Sequence, residues 1–163
     1  MASFTIRRLS RKDSSGLIKL IIDLAKFESL KPPSKSAQKR LVRDAFVTKR
    51  LNGFLAFMSG KPVGYALYFF TYSSFLARPT LYLEDIFVSE PYRGKKIGLS
   101  LFLRCVKEAA KKNCGRMEWT VLTWNSKAIR FYEREIGARR LEEWYLYRLD
   151  QKKLSQLSKL ELR

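Results

Sequence analysis

The segment from Leu81 to Val106 changes its apolar pattern midway, and that change narrows what the chain can fold into. Leu81 to Val88 reads as a strand, whereas Ile97, Leu101, Phe102, Cys105, Val106 and Ala109 recur at helical spacing. Only Ser89-Glu90-Pro91-Tyr92-Arg93-Gly94 and two lysines lie between them. A strand that enters a helix through so short a loop brings loop amides and the helix N-terminus into one crevice, an anion cradle. Gly94 and Gly98 allow close backbone approach to a diphosphate, and Arg93, Lys95 and Lys96 add positive charge. A basic surface turn ahead of a helix is the plainer reading of the same residues.

The surrounding pattern supplies the rest of a sheet. Phe4 to Leu9 alternates as a strand, and Asp13 or Ser14 caps a helix with the stripe Leu17, Ile18, Ile21, Leu24 and Ala25. Lys31-Pro32-Pro33 ends it. Ser36 is the expected cap of a second helix carrying Leu41, Val42, Ala45 and Phe46. Gly53 to Met58, the turn Ser59-Gly60-Lys61-Pro62 and Val63 to Tyr72 form a hairpin. Later come a strand from Met117 to Leu122, a helix capped by Asn125 or Ser126 and running through Arg134, a strand from Trp144 to Leu149, and a helix from Asp150. Meandering strands followed by strand–helix–strand–helix indicate an α/β protein with one mixed sheet, a single domain over 1–163.

Composition excludes several chemistries. The chain has no histidine, so Ser-His-Asp and Cys-His catalysis and imidazole bases are ruled out. Cys105 and Cys114 form no metal-ligand pattern, and no metal site is expected. Residues 1–10 lack the apolar stretch of a secretory leader, and no window reaches the roughly 18 apolar residues of a membrane span. A cytoplasmic protein is the expectation. Thirty-three Lys and Arg against fifteen Asp and Glu give a net charge of +18. That balance points to anionic partners, including weak nucleic-acid association, or to a solvated basic surface.

The loop Arg93-Gly94-Lys95-Lys96-Ile97-Gly98 resembles the phosphate motif of the Gcn5-related N-acetyltransferase superfamily, with Lys96 in place of the middle glycine. A non-glycine is tolerated there where its backbone takes ordinary helical angles, and its ammonium could contact a phosphate. The resemblance is closer to the diamine branch, that of spermidine/spermine N1-acetyltransferase and thialysine N-epsilon-acetyltransferase. The matching pieces are Leu24-Ala25-Lys26-Phe27-Glu28, Tyr68 to Tyr72, Tyr82-Leu83-Glu84-Asp85-Ile86-Phe87-Val88, Val121 to Asn125, Phe131-Tyr132 and Gly137-Ala138. It implies an acyl-CoA N-acyltransferase fold, a mixed and mostly antiparallel central sheet flanked by helices. It also implies acetyl-CoA as co-substrate, a small-molecule amine as acceptor and a homodimer.

The resemblance further implies a set of site residues. Cofactor contacts fall on Ile86, Phe87, Val88, Arg93, Gly94, Lys95, Lys96, Ile97, Gly98, Leu99, Asn125, Ser126, Lys127, Ala128 and Tyr132. A backbone amide of Phe87 or Val88 would polarise the thioester oxygen, and Tyr132 would be the general acid. Substrate contacts fall on Phe27, Glu28, Glu84, Asp85, Glu118, Trp119, Thr120, Glu142 and Trp144. The residues themselves agree on one point: an alkyl ammonium must lose a proton before it attacks, and without histidine a carboxylate is the natural acceptor. Glu84, on the strand before the loop, is the expected base. Asp85 is expected on the opposite face of that strand, since side chains alternate. Salt bridges to nearby Lys and Arg, a core-packed Tyr132 and an Asn125 that serves only as a helix cap are the structural readings. In function, a small-amine N-acetyltransferase stands first. The alternative is a protein lysine or N-terminal acetyltransferase acting on an acidic or nucleic-acid-associated macromolecule, and a third is a basic binding domain without catalysis.

Overall fold

In a computed structural model, which describes residues 3–160, the chain divides into two compact units, residues 1–120 and 121–163. The first holds a five-stranded sheet in the order β1-β2-β3-β4-β5. The strands are β1 (Phe4–Arg8), β2 (Asn52–Met58), β3 (Lys61–Ser73), β4 (Arg78–Val88) and β5 (Arg116–Glu118). The first four pair antiparallel in succession, and β5 joins β4 in parallel. The β2–β3 turn is the expected one: Ser59 and Gly60 both take positive φ, 48° and 74°, as a tight hairpin requires.

Helices cover both faces of this sheet. α1 (Ser14–Phe27) brings Leu17 and Leu20 against Leu55, Tyr65, Leu67 and Phe87. The other face meets α3 (Ile97–Lys111), whose buried residues are Ile97, Leu101, Phe102, Cys105, Glu108 and Ala109. Val106, expected on that inner side, is exposed; the stripe is narrower than the apolar composition suggested. Glu108 turns inward because Arg8 of β1 pairs with it, and the same guanidinium donates to the Tyr68 hydroxyl at 3.3 Å. α2 (Lys35–Phe46) is capped by Ser34, whose hydroxyl accepts from the Ala37 amide at 3.2 Å. Ser36 instead lies inside the first turn, because the chain is already extended at Ser34.

The β3–β4 pairing carries an irregularity that alternation could not foresee. Leu67 faces Asp85 and Tyr68 faces Leu83, so Glu84 is an extra residue in β4. Directly opposed residues share a face. The bulge therefore sends Leu83 to the side of Tyr68 and Asp85 to the side of Leu67, reversing the parity of the strand.

The second unit contains α4 (Ser126–Arg130), a π-helical turn at Phe131–Ile136 and α5 (Gln151–Leu157). The helix expected through Arg134 thus widens after Arg130, and Gly137 at φ +74° closes it. Asp150 caps α5 by accepting from the Lys153 amide at 2.8 Å. The strand expected at Trp144 to Leu149 is absent. The segment is irregular, with Trp144 72% and Tyr147 87% exposed. A strand needs a ladder partner for its backbone groups, and no described residue pairs with this one.

An ion pair between the exposed Arg7 and the buried Asp13 joins β1 to the start of α1. Arg7 donates to both oxygens of Asp13 at 2.7 Å, and the Ser10 amide and hydroxyl donate to Asp13 at 2.9 and 2.6 Å. These donors, Arg7 foremost, hold the Asp13 carboxyl down at about 2. A carboxylate lowered in the folded state stabilises the protein above its ordinary value of 3.8 and loses that contribution as the pH falls toward 2. Asp13→Asn should therefore cost about 2 kcal/mol at pH 7, and much less near pH 2.5, in denaturant titrations at the two pH values.

Candidate active site

The loop after β4 is built from two left-handed residues. Ser89 donates its amide to the Val63 carbonyl at 2.9 Å, a 3-10 turn runs over Glu90–Tyr92, and Gly94 takes φ +76°. Lys96 follows at φ 61°, ψ 11° and immediately precedes α3. The expected helical angles at Lys96 are not adopted. The left-handed turn at Lys96 is followed directly by Ile97, which enters the core and is 1% exposed. The Ser100 amide donates to the Lys96 carbonyl at 2.9 Å. The amides of Ile97, Gly98 and Leu99 precede that first helical bond, at the positive end of a fifteen-residue helix.

The glycines leave room at this point. A Cβ on Gly94 would meet nothing within 4 Å, and one on Gly98 would meet only Val88 Cγ2, at 3.8 Å. Packing does not require a glycine at position 98, whereas a phosphate lying against the helix start would. The residues therefore fit the diphosphate of coenzyme A, with Gly94 to Leu99 as the cradle. β4 pairs with β5 only over Thr80–Tyr82, so within the first unit Leu83 to Val88 is laddered on the β3 side alone. Ile86 and Val88 are half-buried there, and Phe87 is buried.

Arg93 is placed differently from a simple phosphate ligand. Its Nε donates to the Val88 carbonyl at 2.9 Å, and its guanidinium lies 4.7 Å from the ring centre of Phe27 and 5.6 Å from that of Phe87. It braces the loop on the last residue of α1. An open hollow of about 300 Å³ lies beside it, lined by Asp23, Phe27, Phe87, Ser89, Glu90, Pro91 and Arg93. Of these, Asp23, Ser89, Glu90 and Pro91 were not singled out from the sequence. Helical spacing would have given Asp23, which stands four residues before Phe27 on the same side of α1.

Acids gather along β4 and the end of α1. Glu84, extruded by the bulge, is exposed, whereas Asp85 is half-buried and accepts from the Tyr65 hydroxyl at 3.2 Å. Burial, foremost, and the neighbouring Glu84 and Glu28 push Asp85 up to about 6, against the lowering effect of the Tyr65 hydroxyl. Burial also raises Glu28. Tyr65 was outside the expected site, since it reads as one more aromatic in a core strand. The other expected substrate residues of this unit have structural partners. Glu118 pairs with Arg116 at 2.9 Å, and Trp119 sets its ring edge-on to Phe102 at 5.2 Å, while Thr120 is exposed.

The second unit places its candidates separately. Asn125 caps α4 by accepting from the Ala128 amide at 3.2 Å, with Ser126, Lys127 and Ala128 in the first turn. Tyr132 sits in the π-helical turn, 9% exposed, and burial pushes its phenol up to about 12. It therefore holds its proton at neutral pH and remains a donor. π-helical turns recur at functional sites. Glu142 pairs with Arg140 at 2.9 Å, and Trp144 is exposed.

Residues 18–138 match a family model described as the acetyltransferase (GNAT) family. The chain belongs to this family. A thialysine N-epsilon-acetyltransferase of Sus scrofa is 33% identical over 170 residues, covering 97% of this chain and 99% of its own. An L-ornithine N5-acetyltransferase of Arabidopsis thaliana is 41% identical over 120 residues, 74% of this chain, and the match spans 50% of that relative's length. Among solved structures, an integron cassette protein of V. cholerae superposes with a TM-score of 0.82 at 28% identity, covering 98% of this chain and 100% of its own. An aminoglycoside N-acetyltransferase in complex with CoA superposes at 0.75 over 91% and 96% of the two chains. Its 18% identity makes that a likeness of fold.

Lys96 stands out in this loop, because a Cβ in the left-handed region costs on the order of 1 kcal/mol relative to glycine. Lys96→Gly should raise unfolding free energy by about 0.5–1 kcal/mol in urea titrations.

Proposed function

We propose that the chain is an acetyl-CoA-dependent N-acetyltransferase of primary amines, such as a polyamine, a diamine or a lysine-like side chain, with residues 1–163 acting as one catalytic domain. The observation that carries this reading is the open space at Gly94 and Gly98, in the loop and first helical turn that directly follow the strand carrying Glu84 and Asp85. The names of the two curated relatives, acting on thialysine and on L-ornithine, support an amine acceptor.

Acetyl-CoA supplies an acyl group activated as a thioester. The amides of Ile97 to Leu99, with Lys95 and Lys96, would hold its phosphates; Asn125 to Ala128 of the second unit keep the cofactor role that the resemblance implies. A Phe87 or Val88 amide would polarise the thioester oxygen. Asp85 and Glu28 would hold the acceptor ammonium, with Phe27 nearby. Glu84, exposed at the bulge, would accept the ammonium proton directly or through water; Tyr132 of the second unit keeps the general-acid role that the resemblance implies. Glu118, Trp119, Thr120, Glu142 and Trp144 remain assigned to the acceptor side. A homodimer and a cytoplasmic location belong to the same reading.

A second reading has its own support. The net charge of +18 does not favour capture of a free polycation. It favours an acceptor lysine or N-terminus on an acidic or nucleic-acid-associated macromolecule. An acceptor screen by thiol release separates the two: turnover of free diamines at rates equal to or above those of acidic proteins favours the first. In the same assay Glu84→Gln and Tyr132→Phe should each lower kcat by about 10²-fold or more. Full activity in both would remove the mechanism. Gly98→Ala should fold normally, since a Cβ there meets only Val88 Cγ2 at 3.8 Å, and weaken coenzyme A binding measurably by calorimetry.

A further inference from the structure

We propose that Tyr65 is a positioning residue of the acceptor site, its buried hydroxyl holding the Asp85 carboxylate in the ionised form that receives the amine. This rests on the reading of Glu28, Glu84 and Asp85 as the amine end of the reaction, and assigns a role to a residue outside that set.

Three observations converge on Tyr65. It is 0% exposed, inside the cluster formed with Leu17, Leu20, Leu55, Leu67 and Phe87. Its ring packs against Phe87 at 6.4 Å, a contact that phenylalanine would make equally well. The hydroxyl reaches across from β3 to Asp85 Oδ2 at 3.2 Å. The β4 bulge makes this bond possible, because it turns Asp85 to the face on which Tyr65 already lies. A buried hydroxyl and a half-buried carboxyl each lose hydration on folding, and each gives the other a partner here.

The groups acting on Asp85 are Tyr65 from β3, Glu28 from the end of α1 and Glu84 from its own strand. The two carboxylates and burial favour the neutral acid; the Tyr65 hydroxyl favours the carboxylate. Asp85 is thus ionised above about 6 and neutral below it. A neutral carboxyl neither pairs with an ammonium nor takes its proton, so acceptor capture fails as the pH falls through that value. Removing the hydroxyl raises the midpoint further and extends the failure toward neutrality. Removing the Glu28 charge acts in the opposite direction.

The test uses Tyr65→Phe, Glu28→Gln and wild type, with two readouts. The first is the pH profile of kcat/KM for the best amine of the acceptor screen. The acidic limb should move up in Tyr65→Phe and down in Glu28→Gln. For Tyr65→Phe, kcat/KM should fall about three- to tenfold at pH 6 and recover to near wild type at pH 9, a tenfold change corresponding to one unit. The second is the titration of the Asp85 carboxyl by carbon-13 NMR, assigned with Asp85→Asn, in which the midpoint should shift in the same directions. An unmoved acidic limb and midpoint in Tyr65→Phe, or a loss equal at all pH values, would overturn the proposal. A wild type that acetylates no amine would instead defeat the functional reading, and the NMR titration would still decide whether Tyr65 governs Asp85.

Discussion

The extra residue at Glu84 organises β4, and through β4 the whole first unit. Without it, Leu81 and Leu83 would share a face with Asp85 and Phe87, and one helix layer would receive carboxyl and apolar groups together. With it, the strand serves two cores. Leu81 and Leu83 lie on the side of Tyr68 and α3, while Phe87 joins Leu17 and Leu20 under α1. Asp85 follows Phe87 to the α1 side, where it meets Tyr65 and the field of Glu28. The bulge thus makes one strand apolar on one side and chemically equipped on the other.

Arg93 links the two ends of the site in a comparable way. Its bond to Val88 ties it to the end of β4, and its guanidinium rests on Phe27, one residue before Glu28. The loop that would hold phosphates and the helix end that would hold an amine therefore share a side chain. Movement of either is felt by the other through a stacked cation rather than through the sheet. The left-handed turn at Lys96 completes the loop by bringing Ile97 into the core and leaving the first amides of α3 undonated within the helix.

Much of this was legible in the residues. Periodicity located β1 to β4 and α1 to α3 within a few positions, because each has one face that must be buried. The loop from Ser89 to Lys96 was legible because its glycine and basic residues sit between a strand and a helix. The bulge was not, since one added residue leaves composition unchanged and shows only as register. Tyr65 was not, since its ring does the work of a core residue and its hydroxyl acquires meaning only when Asp85 is turned toward it. Lys96 was misread because a residue's name does not disclose its φ. Trp144 to Leu149 has strand-forming residues but lacks a described ladder partner. Intrinsic preference proposes a strand, and pairing decides whether it forms.

The inward turn of Glu108 has an effect on kinetics. It is the one acid of α3, and Arg8 holds it inside, so the outer side of the helix presents Arg104, Lys107 and Lys111 with no anion among them. At low ionic strength a small cation approaching this side is slowed, although the carboxyl groups of β4 attract it at short range. Added salt screens the distant lysines and arginines more than the half-buried acid. For a cationic substrate the encounter rate should therefore rise with ionic strength, the reverse of ordinary electrostatic steering between opposite charges.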